Sequence, residues 1–291
     1  MAMASEDQGG VFRIGGDLAV HRMGFGAMQL TGPGVWGPPL DPDGARAVLR
    51  RAVERGVDFI DTADVYGPGD NERLIREALS PYRPGLVIAT KGGLVRRGPA
   101  TRENPGMSTN GTKAHIRAAV EGSLRDLGVE RIDLYQLHRV DPATPIEETM
   151  GVFRALRDEG KIRHIGLSQV SVAEIERARA VVEIATVQNV YNLADRSYAD
   201  VLAHCEAQGV AFIPFWPLHI EAVAGSEVLA RIAREAGASP RQVALAWLLQ
   251  QSPATILIPG TASAAHLEEN LAARDVTLSD RQMSDLDALG S

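Results

Sequence analysis

A single cysteine, Cys205, stands in 291 residues, which excludes any disulfide within the chain and is the usage expected of a reducing cytoplasm. It lies in an apolar helical pattern with no histidine placed to activate it, so it reads as a buried structural thiol rather than a nucleophile. Long hydrophobic runs are missing too, none approaching the ~18 residues that a membrane span needs. Basic blocks are absent, and 30 Lys and Arg against 37 Asp and Glu leave a net charge of −7, which argues against nucleic acid or an anionic membrane surface as partner. No G-x-G-x-x-G follows an early strand-like run, and no Ser or Cys elbow with a partnered base is present. No His, Cys or carboxylate cluster has metal-ligand character, so no metal is expected. The first seven residues have neither the basic nor the apolar stretch of a signal peptide, and residues 1–9 read as a flexible leader.

What is present is a composition with 45% hydrophobic and 23% charged residues, ordinary for a soluble globular chain, at a length that suits one α/β barrel domain over residues 1–291. Val11 to Arg22 carries two short apolar runs around Gly15-Gly16-Asp17, the pattern of a β-hairpin ahead of the main fold. Strand-like runs follow at 23–26, 57–60, 86–90, 132–137, 162–167, 185–188, 211–215 and 255–258. Between them lie helical patterns at about 43–55, 71–79, 112–127, 146–158, 172–181, 197–208, 226–236 with 240–251, and 263–272. Eight alternating units imply parallel strands with right-handed crossovers and a closed (β/α)8 TIM barrel; an open doubly wound sheet is the alternative architecture.

In such a barrel, chemistry gathers where strands end. Asp61 closes the second run, with Tyr66 five residues later; Lys91 follows the third run and His138 the fourth. A phenol with an unperturbed pKa near 10 donates a proton poorly at neutral pH, and a neighbouring ammonium lowers that value by favouring phenolate. Lys91 anchored by Asp61 can be that ammonium, and His138 adds a second donor to a carbonyl oxygen held beside Tyr66. A site that protonates an oxygen without a nucleophile or a metal needs hydride from a cofactor.

These residues sit within Phe59-Ile60-Asp61-Thr62-Ala63-Asp64-Val65-Tyr66-Gly67, Thr90-Lys91 and Leu134-Tyr135-Gln136-Leu137-His138. Further on come Ile165-Gly166-Leu167-Ser168-Gln169, Val187-Gln188-Asn189-Val190-Tyr191-Asn192 and Ile258-Pro259-Gly260-Thr261. Over nearly its whole length the sequence resembles the aldo-keto reductase family, NAD(P)H-dependent carbonyl reductases on a (β/α)8 barrel closed at its base by an N-terminal hairpin. The resemblance implies a catalytic tetrad of Asp61, Tyr66, Lys91 and His138, with Tyr66 as general acid in reduction. It implies carboxamide contacts from Ser168 and Gln188, and from Gln169 where the family usually has Asn. It also places Phe215 or Trp216 against the nicotinamide, within the cofactor segment Phe215-Trp216-Pro217-Leu218.

Gly24 to Leu30, Gly32 to Pro39 and Phe215 to Leu218 resemble a bacterial branch that includes pyridoxal reductases. A small aromatic aldehyde, pyridoxal first, is accordingly the expected substrate, walled by Trp36 and Trp216 and gripped by Tyr66 and His138. Trp247, among apolar helical neighbours, reads as core. In relatives the segment after the eighth strand meets the adenine end of NADPH. Here it offers Gly260, Thr261, Ser263, His266, Glu269 and Asn270, without a strong cation, so NADPH is expected with NAD possible. The Gly92 to Gly111 stretch holds Arg96, Arg97 and Arg102, which could approach an anionic substrate, but it reads first as a solvated loop. Three readings stay beside the main one: a keto-sugar or secondary-metabolite ketone as substrate, a cofactor-sensing regulatory subunit, and a barrel isomerase or aldolase using Lys91 as a Schiff base.

Overall fold

The computed structural model describes residues 10–290, and the leader read at residues 1–9 lies outside the described residues. The chain runs through β1 (Val11–Ile14), β2 (Leu18–His21), β3 (Phe25–Gly26), α1 (Pro42–Glu54), β4 (Phe59–Asp61) and α2 (Asp70–Leu79). It continues through β5 (Val87–Gly92), β6 (Leu94–Arg96), β7 (Met107–Thr109), α3 (Lys113–Leu127), β8 (Ile132–Leu137), α4 (Ile146–Asp158), β9 (Ile162–Ser168) and α5 (Val172–Arg179). β10 (Thr186–Gln188), α6 (Ala199–Gln208), β11 (Ala211–Phe212), α7 (Glu227–Glu235), α8 (Pro240–Gln251), α9 (Ala264–Ala272) and α10 (Asp280–Asp287) complete it. No helix among the described residues is long and apolar enough to cross a membrane.

Seven strands pair in parallel in the order β11-β10-β9-β8-β5-β4-β3. The eighth run, 255–258, is not a continuous strand. It closes the barrel through isolated bridges, Thr255 to Phe212 on one side and Leu257 to Met23 on the other. The Gly24 amide donates to Leu257 O at 2.8 Å and the Leu257 amide to Arg22 O at 2.8 Å. Pro253 and Pro259 flank this run and supply no amide, which keeps its ladder short. The run at 211–215 likewise shrinks to two residues ahead of Pro214.

The period of two along each strand sorts the core. Phe59, Val87, Ala89, Leu134, Ala211, Ile213, Ile256 and Ile258 fill the barrel interior together with Ile14 and Val20 from the β1–β2 hairpin. That hairpin therefore plugs the barrel's base, its turn made by Gly15 and Gly16 at φ of 59° and 80°. The intervening residues Ile60, Ile88, Tyr135 and Leu137 face outward and join the helices in the larger core cluster. Trp247 is fully buried there, and Cys205 is buried with its thiol pushed up to about 12 by burial, as an inert structural thiol requires.

Two elements depart from the sequence expectation. The stretch read as a solvated loop contains an antiparallel hairpin, β6 against β7, and Arg96 within it is half-buried, while Arg97 and Arg102 are exposed. Beyond α9 lies α10, begun by a capping box in which Ser279 and Gln282 serve each other's backbone.

Candidate active site

The interior layer of apolar residues gives way, one inward position higher, to a polar one. Asp61 follows Phe59 on the inside of β4, Lys91 follows Ala89 on β5, Gln136 follows Leu134 on β8, and Ser168 pairs in register with Gln188 across β9 and β10. Asp61 and Lys91 thus lie inside their strands rather than just beyond them. Gly166 makes room for this layer: a Cβ there would sit 2.2 Å from Thr186 Oγ1 and 2.8 Å from Gln136 Cγ.

Lys91 has no exposed surface, and its Nζ donates to Asp61 Oδ2 at 2.6 Å and to Thr62 O at 2.8 Å. Asp61 Oδ1 accepts from Gln188 Nε2 at 2.9 Å and Gln136 Nε2 at 3.2 Å. The carboxylate is held by three donors, as a buried charge must be. Burial lowers the Lys91 ammonium, but Asp61 and Tyr66 together outweigh it and its pKa ends above the ordinary value.

Tyr66 lies over this pair, its ring centroid 5.3 Å from Lys91 Nζ. His138 meets it edge to face, with ring centroids 6.0 Å apart. The structure therefore brings together all four residues expected at the strand ends. The direction of the Tyr66 shift corrects the sequence expectation: burial raises its pKa, and Lys91 only partly opposes that. The phenol is a fully protonated donor at neutral pH, and Lys91 acts on the phenolate once it forms. His138 is pushed well below its usual value by burial, with Lys91, Arg139 and Arg96 adding to it. It is a neutral imidazole with one N–H to give, and its buried Nδ1 has no partner among the described residues.

The expected cofactor residues are spread along the rim. Ser168 Oγ accepts from Arg139 Nη1 at 3.1 Å. Gln188 is tied to Asp61 by its nitrogen, leaving its amide oxygen for any carboxamide. Gln169 has φ of 54° and its side-chain oxygen lies 3.4 Å from the Val190 amide, so the oxygen of the amide expected to replace the family's Asn is turned to the chain's own backbone. Trp216 also takes a left-handed backbone, φ 53°, and Val35 does so beside Trp36, φ 57°. Strained non-glycine residues at one barrel mouth are the pattern of a ligand-shaped rim. Trp36 is 40% exposed and Trp216 54% exposed, while Phe215 meets Trp216 edge to face at 5.3 Å. Pro217 is buried and Leu218 half-buried below them.

At the other end of the rim, Ser263 caps α9, its Oγ 3.4 Å from the His266 amide, and Thr261 Oγ1 accepts from the Ser263 amide at 3.0 Å. The first-turn amides of this helix point outward. His266 is exposed. Asn270 is buried, yet neither atom of its amide has a partner among the described residues. Glu269 differs from the expectation: its carboxylate accepts from Ser239 Oγ at 2.6 Å and ties α9 to the start of α8.

The profile of the aldo/keto reductase family matches residues 22–291. The chain belongs to the aldo/keto reductase family. It is an oxidoreductase by that membership. It is 44% identical over 283 residues to the pyridoxine 4-dehydrogenase of Escherichia coli (strain K12), covering 94% of this chain and 96% of the relative. The glycerol dehydrogenase of Gluconobacter oxydans superposes with a TM-score of 0.85 at 28% identity, covering 96% of this chain and 94% of that one. An aldo/keto reductase from Klebsiella pneumoniae, solved in complex with NADP and acetate, has a TM-score of 0.80 at 27% identity, covering 96% and 94% of the two chains.

In this reductase several residues of the site escaped the sequence reading. Asn71 is wholly buried. Its Nδ2 donates to Ala27 O and Leu30 O, both at 2.9 Å, its Oδ1 accepts from Thr62 Oγ1 at 2.7 Å, and its amide donates to Tyr66 O at 3.2 Å. It holds the Tyr66 loop against the rim after β3. Gln136 was legible as a polar residue at an inward strand position. Arg139 follows His138 directly, and nothing in its local sequence shows that it turns toward Ser168.

Proposed function

We propose that this chain reduces a small carbonyl compound to an alcohol with NADPH, and that Asp61, Tyr66, Lys91 and His138 are its catalytic residues. The observation that carries the reading is the fully buried Lys91, 2.6 Å from Asp61 and beneath the ring of Tyr66. A dinucleotide suits the residues present: the partnerless buried amide of Asn270 is a ready adenine reader, and the α9 start with Thr261, Ser263 and His266 offers donors to a 2′-phosphate. Ser168 and Gln188, with Gln169 through its amide nitrogen, would hold the nicotinamide end beside Phe215, Trp216, Pro217 and Leu218, while Gly260, where a Cβ would stand 2.7 Å from Gly26 O, lets the rim strands close tightly below it. When bound, the cofactor supplies hydride to the carbonyl carbon.

The chain's own part is the proton. Tyr66, kept protonated by burial, gives its proton to the carbonyl oxygen and is left as a phenolate. Lys91 stabilises that phenolate until water returns the proton. His138, neutral, donates one hydrogen bond to the same oxygen and fixes the carbonyl's orientation. A Schiff-base role for Lys91 fits poorly, because an amine nucleophile must be uncharged and Asp61 holds this one as ammonium.

For the substrate we favour pyridoxal or another flat aromatic aldehyde. Two half-exposed indoles, Trp36 and Trp216, stand at the mouth, and a pyridoxine 4-dehydrogenase is among the relatives. The test is NADPH oxidation followed by absorbance with pyridoxal, benzaldehyde and a keto-sugar. Cofactor consumed in equal amount to alcohol formed, fastest with pyridoxal, supports the reading, and no oxidation with any carbonyl overturns it.

A further inference from the structure

Arg96 and Arg139 are both half-buried at the mouth, and neither forms an ion pair with a described carboxylate. Arg139 lies on the floor of the rim: its Nη1 donates to His138 O at 2.8 Å and to Ser168 Oγ at 3.1 Å, and its guanidinium stands 5.7 Å from the Phe215 ring centroid. Arg96 comes from above, on the β6–β7 hairpin. Leu94, on the same strand, packs with Tyr66, and Arg96 Nη1 reaches Gly34 O, in the turn that carries Trp36, at 3.3 Å. Its other contacts are long ones to Pro105 O and Met107 Sδ, and its buried Nε has no partner among the described residues. Such weak contacts would be made as well by a neutral amide and do not account for a half-buried guanidinium.

The charge balance sharpens this. The chain is net negative by seven, yet at the mouth Asp61 is already matched by Lys91, and Asp64, the other carboxyl of the Tyr66 loop, is pushed well above the usual carboxylate range by burial and by Glu72, which leaves the two guanidinium groups without a carboxylate counterpart. Each of them acts on Tyr66 and His138, the groups that face the carbonyl oxygen. Water alone is a poor counterpart for a guanidinium that burial has partly stripped of solvent.

We propose that Arg96 and Arg139 select a carbonyl substrate that also carries an anionic oxygen, a carboxylate, phosphate or ionised phenol, on the part of the molecule that projects toward the β6–β7 hairpin. The proposal rests on the reductase reading and adds to it the charge of the substrate. Arg96 serves as the specificity contact and Arg139 bridges it to the Ser168 side of the site.

The experiment compares 4-formylbenzoate with its methyl ester, the same ring with the charge removed, and pyridoxal with pyridoxal 5′-phosphate. The expected kcat/KM ratio of acid to ester is roughly tenfold or more, and Arg96→Met or Arg139→Met collapses it by a similar factor, the loss of one charge-assisted hydrogen bond. Arg97→Met and Arg102→Met, exposed on the same segment, leave the ratio as it was, which separates a contact from a diffuse field. The pyridoxal pair identifies whether a phosphate or the ring's own phenolate is preferred. Equal kcat/KM for acid and ester, or a ratio that both arginine substitutions leave intact, overturns the proposal while leaving carbonyl reduction standing. Calorimetric binding of 4-formylbenzoate to the protein with NADP separates the other failure: arginine-dependent binding without turnover of any aldehyde sinks the reductase reading and keeps the anion site.

Discussion

Replacing Glu72 by Gln tests whether the charges behind the site are as the structure implies. Glu72 is 1% exposed on α2 and accepts from Thr90 Oγ1 at 2.6 Å, directly behind Lys91. Burial raises its carboxyl from 4.5 to about 7, although Thr90 and Ser123 pull it down. Below about pH 4.5 the group is protonated in both the folded and the unfolded chain, and above about pH 7 it is ionised in both. Between those values the folded state binds more protons, so stability falls as pH rises, by about 3 kcal/mol in all. Gln keeps the shape and the oxygen that Thr90 uses, but cannot ionise. At about pH 5 the two proteins should be close in stability, and at about pH 8 the Gln variant should be ahead by about 3 kcal/mol. With a denaturant slope of about 3 kcal/mol per molar urea for a chain of this size, that is about a 1 M rise in midpoint. Urea titrations at the two pH values, followed by far-UV circular dichroism, measure it, since every other titrating group is common to both proteins. A gap that is the same at both pH values, or larger in acid, refutes the reasoning.

Lys91→Met leaves Asp61 buried with only two amide donors, so thermal unfolding should show a loss of about 3–5 kcal/mol, and NADPH-dependent turnover should fall by at least about 10²-fold. Adding Asp61→Asn should restore much of the stability and none of the activity. Asn71→Ala strips partners from Ala27 O, Leu30 O and Thr62, so urea unfolding should register a loss of about 3 kcal/mol or more. Paired Thr261→Ala and Ser263→Ala should lower the kcat/KM preference for NADPH over NADH roughly tenfold, while capping of α9 weakens by about 1 kcal/mol. An unchanged cofactor ratio removes the α9 start from 2′-phosphate recognition.

The barrel was legible because its signal is repeated. Eight apolar runs separated by helical patterns leave few topologies, and parity along each run places Asp61, Lys91 and His138 on the inside with their apolar neighbours below. The weakest run, 255–258, has prolines at both ends, and its pairing depends on what its neighbours offer rather than on its own residues. Arg96 was named in the sequence, but its partial burial was not legible because that depends on contacts far away in the chain: Gly34 and Met107 reach it only once β6 and β7 pair. The Gly and Pro residues between those strands look like open loop when read alone. The sign of the Tyr66 shift was missed for a similar reason. A sequence can show that a lysine is near a phenol, but not that the lid of Leu94, Val65 and Val35 removes enough water for burial to outweigh it. By contrast α10 carried its own start signal, Ser279 with Gln282 three residues on.

The central claim is that the phenol of Tyr66 delivers the proton, and Tyr66→Phe removes that one oxygen while keeping the ring that packs with Leu94 and His138. Fluorescence titration of NADPH and steady-state reduction of pyridoxal, run on the same preparation, measure both halves of it. The account predicts cofactor affinity close to that of the unaltered chain and a fall in turnover of roughly 10²–10⁴-fold. Tight NADPH binding with undiminished reduction of pyridoxal would contradict it.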